Sequence, residues 1–391
     1  MEPNLYYNQQ DKHLANFIVG YYFVQALNLL VKLVIGNFAL WSLLSRGSLI
    51  ILLLIALKPM IDRKAKAFLG MEVLFALLFG YTFIFRYASY SDYSSIVINV
   101  FTVFIPMAIA ATSISDKRIL LDRFYVMAWP TQAILLYTLI TRSSFSYSMI
   151  GGYTLVFQAL IVFDHFSEKR KWYDLAACIL DLVVIIIYGS RGPLLCVVTM
   201  LILKILFNPS ISQAKRISLV FLTCIALGAI FTFYNEIINA LISLTNKLGY
   251  SSRNIYLLVN GRITSESGRD SIQRAYFEVV KTGPALGHGI AGGWISNDTY
   301  PHNIFLELLV SFGPVAGVLT CAAVTVITFY AIKNKDEDKR RLCHLLFAYS
   351  VSLFLSDTFL KSPMFFMLMG IGLQSLPIKI SHGKRTISKH A

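Results

Sequence analysis

Most of this sequence consists of apolar runs about as long as a helix that crosses a bilayer, separated by short polar interruptions. A helix needs about 20 predominantly apolar residues to cross the hydrocarbon core. The expected spans are twelve in number: 16–35, 38–57, 67–87, 94–113, 119–141, 148–166, 173–189, 192–207, 217–235, 302–331, 342–357 and 363–378. The pattern predicts an all-α, polytopic integral membrane protein with about 12 transmembrane helices and one large extracytoplasmic loop.

Composition supports the membrane class. Of the 391 residues, 56% are hydrophobic and only 14% are charged, with a mean hydropathy of +0.63, whereas a soluble domain carries about 25% charged residues. The formal net charge of +14 would suggest a nucleic-acid partner in a soluble protein. Here most of the positive charge falls in short loops between spans, so we expect no nucleic-acid partner. We also expect no cleavable signal peptide, no disulfide framework and no cysteine metal site.

Lysine and arginine are distributed unequally between the two sets of loops. The loops that follow even-numbered spans hold most of them, while the opposite short loops hold only Arg86, Arg142, Arg191 and Lys361. The positive-inside rule then places both termini in the cytoplasm and loop 236–301 outside. The expected organisation is a membrane domain over 1–235, an extracytoplasmic catalytic loop over 236–301, and a second membrane domain with a cytoplasmic tail over 302–391.

Loop 236–301 is the longest polar stretch of the chain, and a retained long loop is commonly functional. An amphipathic pattern predicts a helix over 271–281, with Ser267 and Asp270 as candidate caps. Arg269 would then lie at a helix N-terminus, where backbone N–H groups already favour anions. A solvated surface arginine is the alternative. Arg274 precedes Glu278 by four residues and is more simply interpreted as half of a surface ion pair.

A second cluster lies where the loop meets the tenth span. His302 follows Pro301 and opens that helix, whose positive end favours a neutral imidazole able to accept a proton. Capping or interfacial packing is the alternative. Asn303 and Glu307 are on the same helix, and Glu307 could orient His302 or face a polar cavity. His288, between two glycines, is a further candidate.

Ionisable residues at membrane depth are costly and therefore informative. Arg191 lies in the short turn 189–193, where we expect it to bind a phosphate group of a lipid-linked ligand; the alternative is an ordinary interfacial arginine. Arg46 falls near the middle of the second span, unless the boundary is misplaced and the side chain reaches an interface. Glu72 and Asp181 could pair with an intramembrane arginine or lie near headgroups.

Three segments together resemble the O-antigen ligase/polymerase superfamily, the bacterial membrane glycosyltransferases that act on polyprenyl-pyrophosphate-linked sugars. They are Gly189-Ser190-Arg191-Gly192, then Ser267-Gly268-Arg269 with the later Gly283-Pro284-Ala285-Leu286-Gly287-His288-Gly289, and finally Pro301-His302-Asn303-Ile304-Phe305-Leu306-Glu307 followed by Gly313. The resemblance covers roughly the second half of the chain. Tyr276 stands where the family often has tryptophan.

The resemblance implies a metal-independent, inverting glycosyltransferase without a cofactor. Arg191 and Arg269 would bind undecaprenyl pyrophosphate, and His302 would activate the acceptor hydroxyl. Further candidates for substrate binding are Arg46, Arg274, His288, Asn303 and Glu307. The implied partners are an undecaprenyl-pyrophosphate-linked oligosaccharide and membrane lipid, with a polysaccharide chain-length regulator and a flippase as candidates. The implied location is the bacterial cytoplasmic membrane, with the active site on the extracytoplasmic side.

Three functions remain open from the sequence. The favoured one is a polymerase of lipid-linked repeat units in O-antigen, capsule or exopolysaccharide synthesis. A ligase that transfers the finished glycan to a terminal acceptor such as lipid A–core would use the same donor, so the shared motifs do not separate the two. A flippase or transporter is the third, although the sequence shows no internal repeat, which such a protein would more naturally have.

Overall fold

The structure is a computed structural model of the chain and describes residues 8–34, 39–86, 93–140, 149–188, 191–207, 212–232, 236, 240, 243, 269–297 and 299–377. All regular elements within these residues are helical, and no strand occurs among them. The prediction of an all-α fold is confirmed. About half of loop 236–301, including Ser267-Gly268, lies outside the described residues, as do both chain ends and the pair Gly189-Ser190.

The described helices lie close to the expected spans. Before the large loop they are α1 (Gln9–Val34), α2 (Ala39–Arg86), α3 (Tyr93–Asn99), a π-helical turn (Val100–Phe104), α4 (Ile105–Ser113), α5 (Arg118–Ile140), α6 (Met149–Lys169), α7 (Trp172–Tyr188), α8 (Arg191–Phe207) and α9 (Gln213–Thr232). After it they are α10 (Arg269–Thr282), α11 (Gly292–Asn297), α12 (Ile304–Ile332), α13 (Glu337–Ser350) with a 3-10 extension (Val351–Phe354), a 3-10 turn (Phe359–Lys361) and α14 (Pro363–Ser375).

One expected break differs from the structure. The second and third expected spans run together in α2, and helical geometry continues through residues 58–66 except at Lys64, which has φ −143° and ψ 27°. The two halves nevertheless run in opposite directions. Trp41 donates to Asn28 at 2.7 Å near one end of α1, whereas Arg63 pairs with Asp11 at its other end. Beyond Lys64 the chain returns alongside α4. The count of about 12 spans stays a prediction.

Several helices are suited to a lipid environment. In the described part of the chain, three stretches are long and apolar enough to cross a membrane: Leu43–Phe85, Tyr93–Ser113 and Ile304–Ile332. Large apolar side chains on α2 and α12 face outward, with Leu77 68% exposed and Val315 73% exposed. Such faces would be costly in water and are expected against acyl chains. The apolar helices therefore indicate an integral membrane protein.

The bundle has two chemically different ends. At the basic end, buried Asp164 on α6 pairs with Lys204 on α8 and with Arg341 on α13, whose Nη2 lies 2.7 Å from the carboxylate. Arg63 at the turn of α2 donates to the carbonyl of Ser113 at 2.7 Å on the same end. The Lys- and Arg-rich loops thus gather on one side of the bundle. The candidate site lies at the opposite end.

Candidate functional site

The site is built on residues 355–358, which we call the carbonyl turn. This segment lies between the 3-10 extension of α13 and the turn before α14, so its carbonyls can accept bonds from side chains elsewhere in the fold. Arg269 Nη1 donates to the Leu355 carbonyl at 2.7 Å. His302 Nδ1 lies 3.2 Å from the Ser356 carbonyl oxygen. Of Arg191, Arg269 and His302, the three residues to which the resemblance gives catalytic roles, the last two therefore contact adjacent carbonyl groups.

Glu307 holds the carbonyl turn through a hydrogen bond with Thr358. Its side chain is only 2% exposed, and its Oε1 accepts a hydrogen bond from Thr358 Oγ1 at 2.6 Å. Thr358 Oγ1 in turn accepts from the backbone N–H of Leu360 at 3.2 Å. One role expected for Glu307 was to orient His302, but the described structure shows no hydrogen bond between these two side chains. The carboxyl group positions the turn that both Arg269 and His302 touch.

His302 adopts a left-handed backbone conformation, with φ 55°. The expectation that it opens the helix is wrong by two residues: α12 begins at Ile304, and Asn303 is its N-cap, with Oδ1 accepting from the N–H groups of Phe305 and Leu306 at 3.0 and 3.2 Å. This cap explains Asn303 structurally. His302 therefore stands just outside the helix, partly buried.

The environment of His302 favours the neutral imidazole. Burial lowers its pKa, and the charge of Arg269 lowers it further, although the bond to the Ser356 carbonyl acts the other way. Because a carbonyl oxygen can only accept, Nδ1 carries the proton in that bond, and Nε2 of the neutral ring is left as the acceptor. The ring also lies 4.3 Å from the ring of Tyr300. A neutral imidazole was expected from the helix end, and in the structure burial and the charge of Arg269 lower the pKa in the same direction.

The other two segments meet at the same place. Arg269 is the first residue of α10, two residues before the expected start, so Asp270 lies in the first turn rather than capping it. The backbone of Arg191 begins α8. Its neighbour Gly192 is so close to the site that a Cβ there would lie 3.4 Å from Ser356 Oγ and would overlap the Tyr153 hydroxyl. The start of α8 is thus packed against the carbonyl turn.

Gly287 and Gly289 lie where the loop before α11 packs against Gly313 of α12. We call this contact the glycine joint. Pro314 interrupts α12 because it has no N–H to donate, and Gly313 has φ 78°. The backbone N–H of His288 donates to the Val310 carbonyl at 2.8 Å, and that of Gly289 donates to the Ser311 carbonyl at 2.9 Å. The loop therefore supplies the partners that the broken helix lacks. His288 belongs to this joint.

The remaining candidates lie apart from the carbonyl turn. Arg46 is exposed on α2, and Arg274 is exposed on α10. In the described structure Glu278 pairs with Lys281 at 2.7 Å, so the expected pair between Arg274 and Glu278 is not formed. Buried Asp181 accepts from Gln132 at 2.9 Å and not from an intramembrane arginine. Substrate binding by Arg46, Arg274 and His288 stays a prediction.

A cavity of about 420 Å³ lies next to the carbonyl turn. Its wall includes Tyr300, which donates to the Ser356 carbonyl at 3.4 Å, and Tyr153, whose hydroxyl bonds to Ser356 Oγ. Asp357 and Lys361 also line it. The Lys361 ammonium lies 5.7 Å from the centre of the Tyr300 ring, within reach of a cation–π interaction. Tyr300, whose ring lies 4.3 Å from that of His302, thus connects the wall of the cavity to the histidine.

Sequence reasoning missed the carbonyl turn. The polar trio Ser356-Asp357-Thr358 interrupts an apolar stretch, and this interruption was the available signal. It fell at the end of an expected span, where polar residues are ordinary. Groups of three or more histidine, cysteine or acidic side chains placed to hold a metal ion do not occur in the described residues.

The fold is that of a helical integral membrane protein, with an arginine and a histidine in contact with one turn at one end of the bundle. A family model described as O-antigen ligase matches residues 176–321. The match covers less than half of the chain but includes Arg191, Arg269 and His302, and it confirms the resemblance to the O-antigen ligase/polymerase superfamily. Neither the curated proteins nor the solved structures contain a match to this chain.

Proposed function

We propose that this protein polymerises lipid-linked oligosaccharide repeat units, transferring the growing glycan from undecaprenyl pyrophosphate to the next lipid-linked unit. One observation carries the proposal: Arg269 and His302, far apart in sequence, both contact the carbonyl turn. A fixed cation and a neutral base in one place are what displacement of a pyrophosphate by a hydroxyl requires. The match to the O-antigen ligase family supports this reaction class.

In the proposed reaction, His302 Nε2 takes the proton of an acceptor hydroxyl while that oxygen attacks the anomeric carbon of the donor sugar. The bond from that carbon to the pyrophosphate breaks, and undecaprenyl pyrophosphate leaves with the electron pair. Attack opposite the leaving group inverts the anomeric centre. The Ser356 carbonyl, which accepts from Nδ1–H, would stabilise the imidazolium that forms.

Arginine would supply the positive charge for the leaving group. The guanidinium of Arg269 contacts the Leu355 carbonyl through Nη1, which holds it in place and leaves it further N–H donors for phosphate oxygens. Arg191, the first residue of α8 and the neighbour of Gly192, would be the second cation. A preorganised cation stabilises developing charge without reorganisation in the transition state. The proposed mechanism therefore assigns no role to a metal ion.

A ligase is the second candidate, because the family description that matches residues 176–321 is that of an O-antigen ligase. It would use the same donor site and differ only in the acceptor. The comparisons give no support to a flippase.

We place the protein in the bacterial cytoplasmic membrane, with the carbonyl turn on the extracytoplasmic side.

The test is the polysaccharide profile of a deletion strain that expresses the wild type, Arg191→Ala, Arg269→Ala or His302→Ala. A polymerase predicts that the deletion and the three variants leave single repeat units in place of a ladder, at equal protein levels. Lys281→Ala, which removes an exposed cation from the same helix as Arg269, should keep the ladder. Long chains retained on the polyprenyl carrier would instead identify a ligase, and normal polymer in the deletion strain would refute both.

A further inference from the structure

The cavity beside the carbonyl turn is lined with tyrosine from four parts of the chain. Its tyrosines are Tyr21 and Tyr22 of α1, Tyr153 of α6, Tyr300 of the loop before α12, and Tyr349 of α13. We call it the tyrosine cavity. Its volume of about 420 Å³ lies within the range of about 300–1,000 Å³ that is typical of small-molecule sites. Aromatic faces of this kind are suited to stacking on the apolar face of a flat ring.

Polar groups are interspersed with these rings. Gln158, only 4% exposed, and Asp357 both line the cavity. The hydroxyl of Tyr22 is buried and has no hydrogen-bond partner in the described structure. A buried polar atom without a partner costs about 1–3 kcal/mol, so such atoms require an explanation. A bound molecule that carries hydroxyl groups would provide one.

These features distinguish between two ligands that the proposed reaction supplies. The isoprenoid chain of the donor offers no hydrogen-bonding groups, and in this cavity it would leave the buried Tyr22 hydroxyl without a partner. A sugar offers both a ring face for the tyrosines and hydroxyl groups for the polar atoms. The wall chemistry therefore favours carbohydrate over lipid.

The position of the tyrosine cavity indicates which sugar it would hold. Tyr300 forms part of its wall and packs on His302, with ring centres 4.3 Å apart. Tyr153 bonds to Ser356, whose carbonyl contacts His302. A sugar in the cavity would thus lie next to Tyr153 and Tyr300, the two side chains that connect the cavity wall to His302 and to Ser356.

We propose that the tyrosine cavity binds the terminal sugar of the acceptor glycan and presents one of its hydroxyl groups to His302. This inference rests on the proposed glycosyl transfer and adds a substrate site to it. Tyr22 is the most informative residue, because its hydroxyl would bond to the sugar and bonds to nothing else in the described structure.

The experiment uses the full chain in detergent micelles and two probes. One is the oligosaccharide released from the host's own lipid-linked repeat units, and the other is undecaprenyl phosphate without sugar. Tyr22→Phe should weaken oligosaccharide binding, measured by isothermal titration, by about fivefold to tenfold, the equivalent of one hydrogen bond. It should leave undecaprenyl phosphate binding unchanged and should not lower the melting temperature, since it removes a buried hydroxyl that has no partner in the described structure. Tyr330→Phe, the same change on a partly exposed tyrosine of α12, should alter neither affinity.

Two results would overturn the inference: oligosaccharide affinity unchanged in Tyr22→Phe, or a loss of undecaprenyl phosphate affinity, which would mean that the cavity holds lipid. Asp357→Asn provides a second variant with the same expectation for the sugar probe. Failure here is separable from failure of the proposed function. If Arg269→Ala abolishes the polysaccharide ladder while Tyr22→Phe binds sugar normally, the transferase proposal stands and the cavity assignment falls.

Discussion

His302 illustrates how much of a residue's chemistry is decided by its neighbours. Its sequence context, between Pro301 and Asn303, predicted a neutral imidazole at a helix start. In the structure, burial and the charge of Arg269 lower the pKa of His302, and both effects come from residues that fold in from elsewhere. The Ser356 carbonyl selects the Nδ1–H tautomer and so leaves Nε2 to act. The sequence made His302 a candidate, but it could not show the Ser356 carbonyl, the partner that determines which ring nitrogen is free to accept a proton.

The lowered pKa of His302 leads to a prediction on pH. A base must be unprotonated, so turnover should persist somewhat below the usual histidine pKa of 6.5 and be lost as the pH falls through the lowered value. In Arg269→Gln the positive charge that lowers this pKa is gone. The acid limb of its residual activity, each profile normalised to its own maximum, should therefore move to higher pH.

Lys281→Gln serves as the control for this profile, since it removes an exposed cation from the same helix and leaves His302 untouched. Its acid limb should coincide with that of the wild type. An acid limb of Arg269→Gln that stays in place, or moves to lower pH, would show that His302 is not the group whose titration limits the reaction.

At the scale of elements, the sequence predicted the helices well, but it predicted the contacts between separate segments poorly. Apolar runs located α12, α14 and the continuous stretch from α3 to α4 to within a few residues, because a span needs a length that the composition itself encodes. The motif 283–289 was interpreted as part of a ligand site, but its N–H groups bond to the carbonyls exposed by the break at Gly313-Pro314. Such a contact depends on two segments meeting, and a single sequence does not record it.

The glycine joint predicts a large effect at Gly313. Its φ of 78° disfavours any side chain, and a Cβ there would lie 2.7 Å from the Ala285 carbonyl carbon and 2.8 Å from the Gly287 nitrogen. Gly313→Ala should destabilise the protein by about 2 kcal/mol or more, seen as a lower melting temperature in detergent. Gly80→Ala is the matched control, since nothing lies within 4 Å of its Cβ position. An equal effect of the two substitutions would contradict the joint.

In the whole molecule, the basic ion pairs and the candidate site lie at opposite ends of the helical bundle. The ion pairs of Asp164, Lys204 and Arg341 close one end, and the carbonyl turn with the tyrosine cavity occupies the other. The asymmetry of lysine and arginine in the sequence anticipated this separation, since short basic loops are retained on the cytoplasmic side. What sequence could not give is the depth of the cavity between α1, α6 and α13, because that depends on how the helices pack.

This arrangement predicts which residues a membrane-impermeant reagent can reach. In a chain whose five cysteines are replaced by serine, Glu278→Cys on α10 should react with an impermeant maleimide in intact spheroplasts. Lys335→Cys, in the exposed loop between α12 and α13 at the basic end, should react only after lysis, which makes it the internal control for membrane integrity. The expected orientation follows from the positive-inside rule. Labelling of position 335 but not 278 in intact spheroplasts would place the carbonyl turn in the cytoplasm, where a transferase acting on exported lipid-linked units could not meet its substrates.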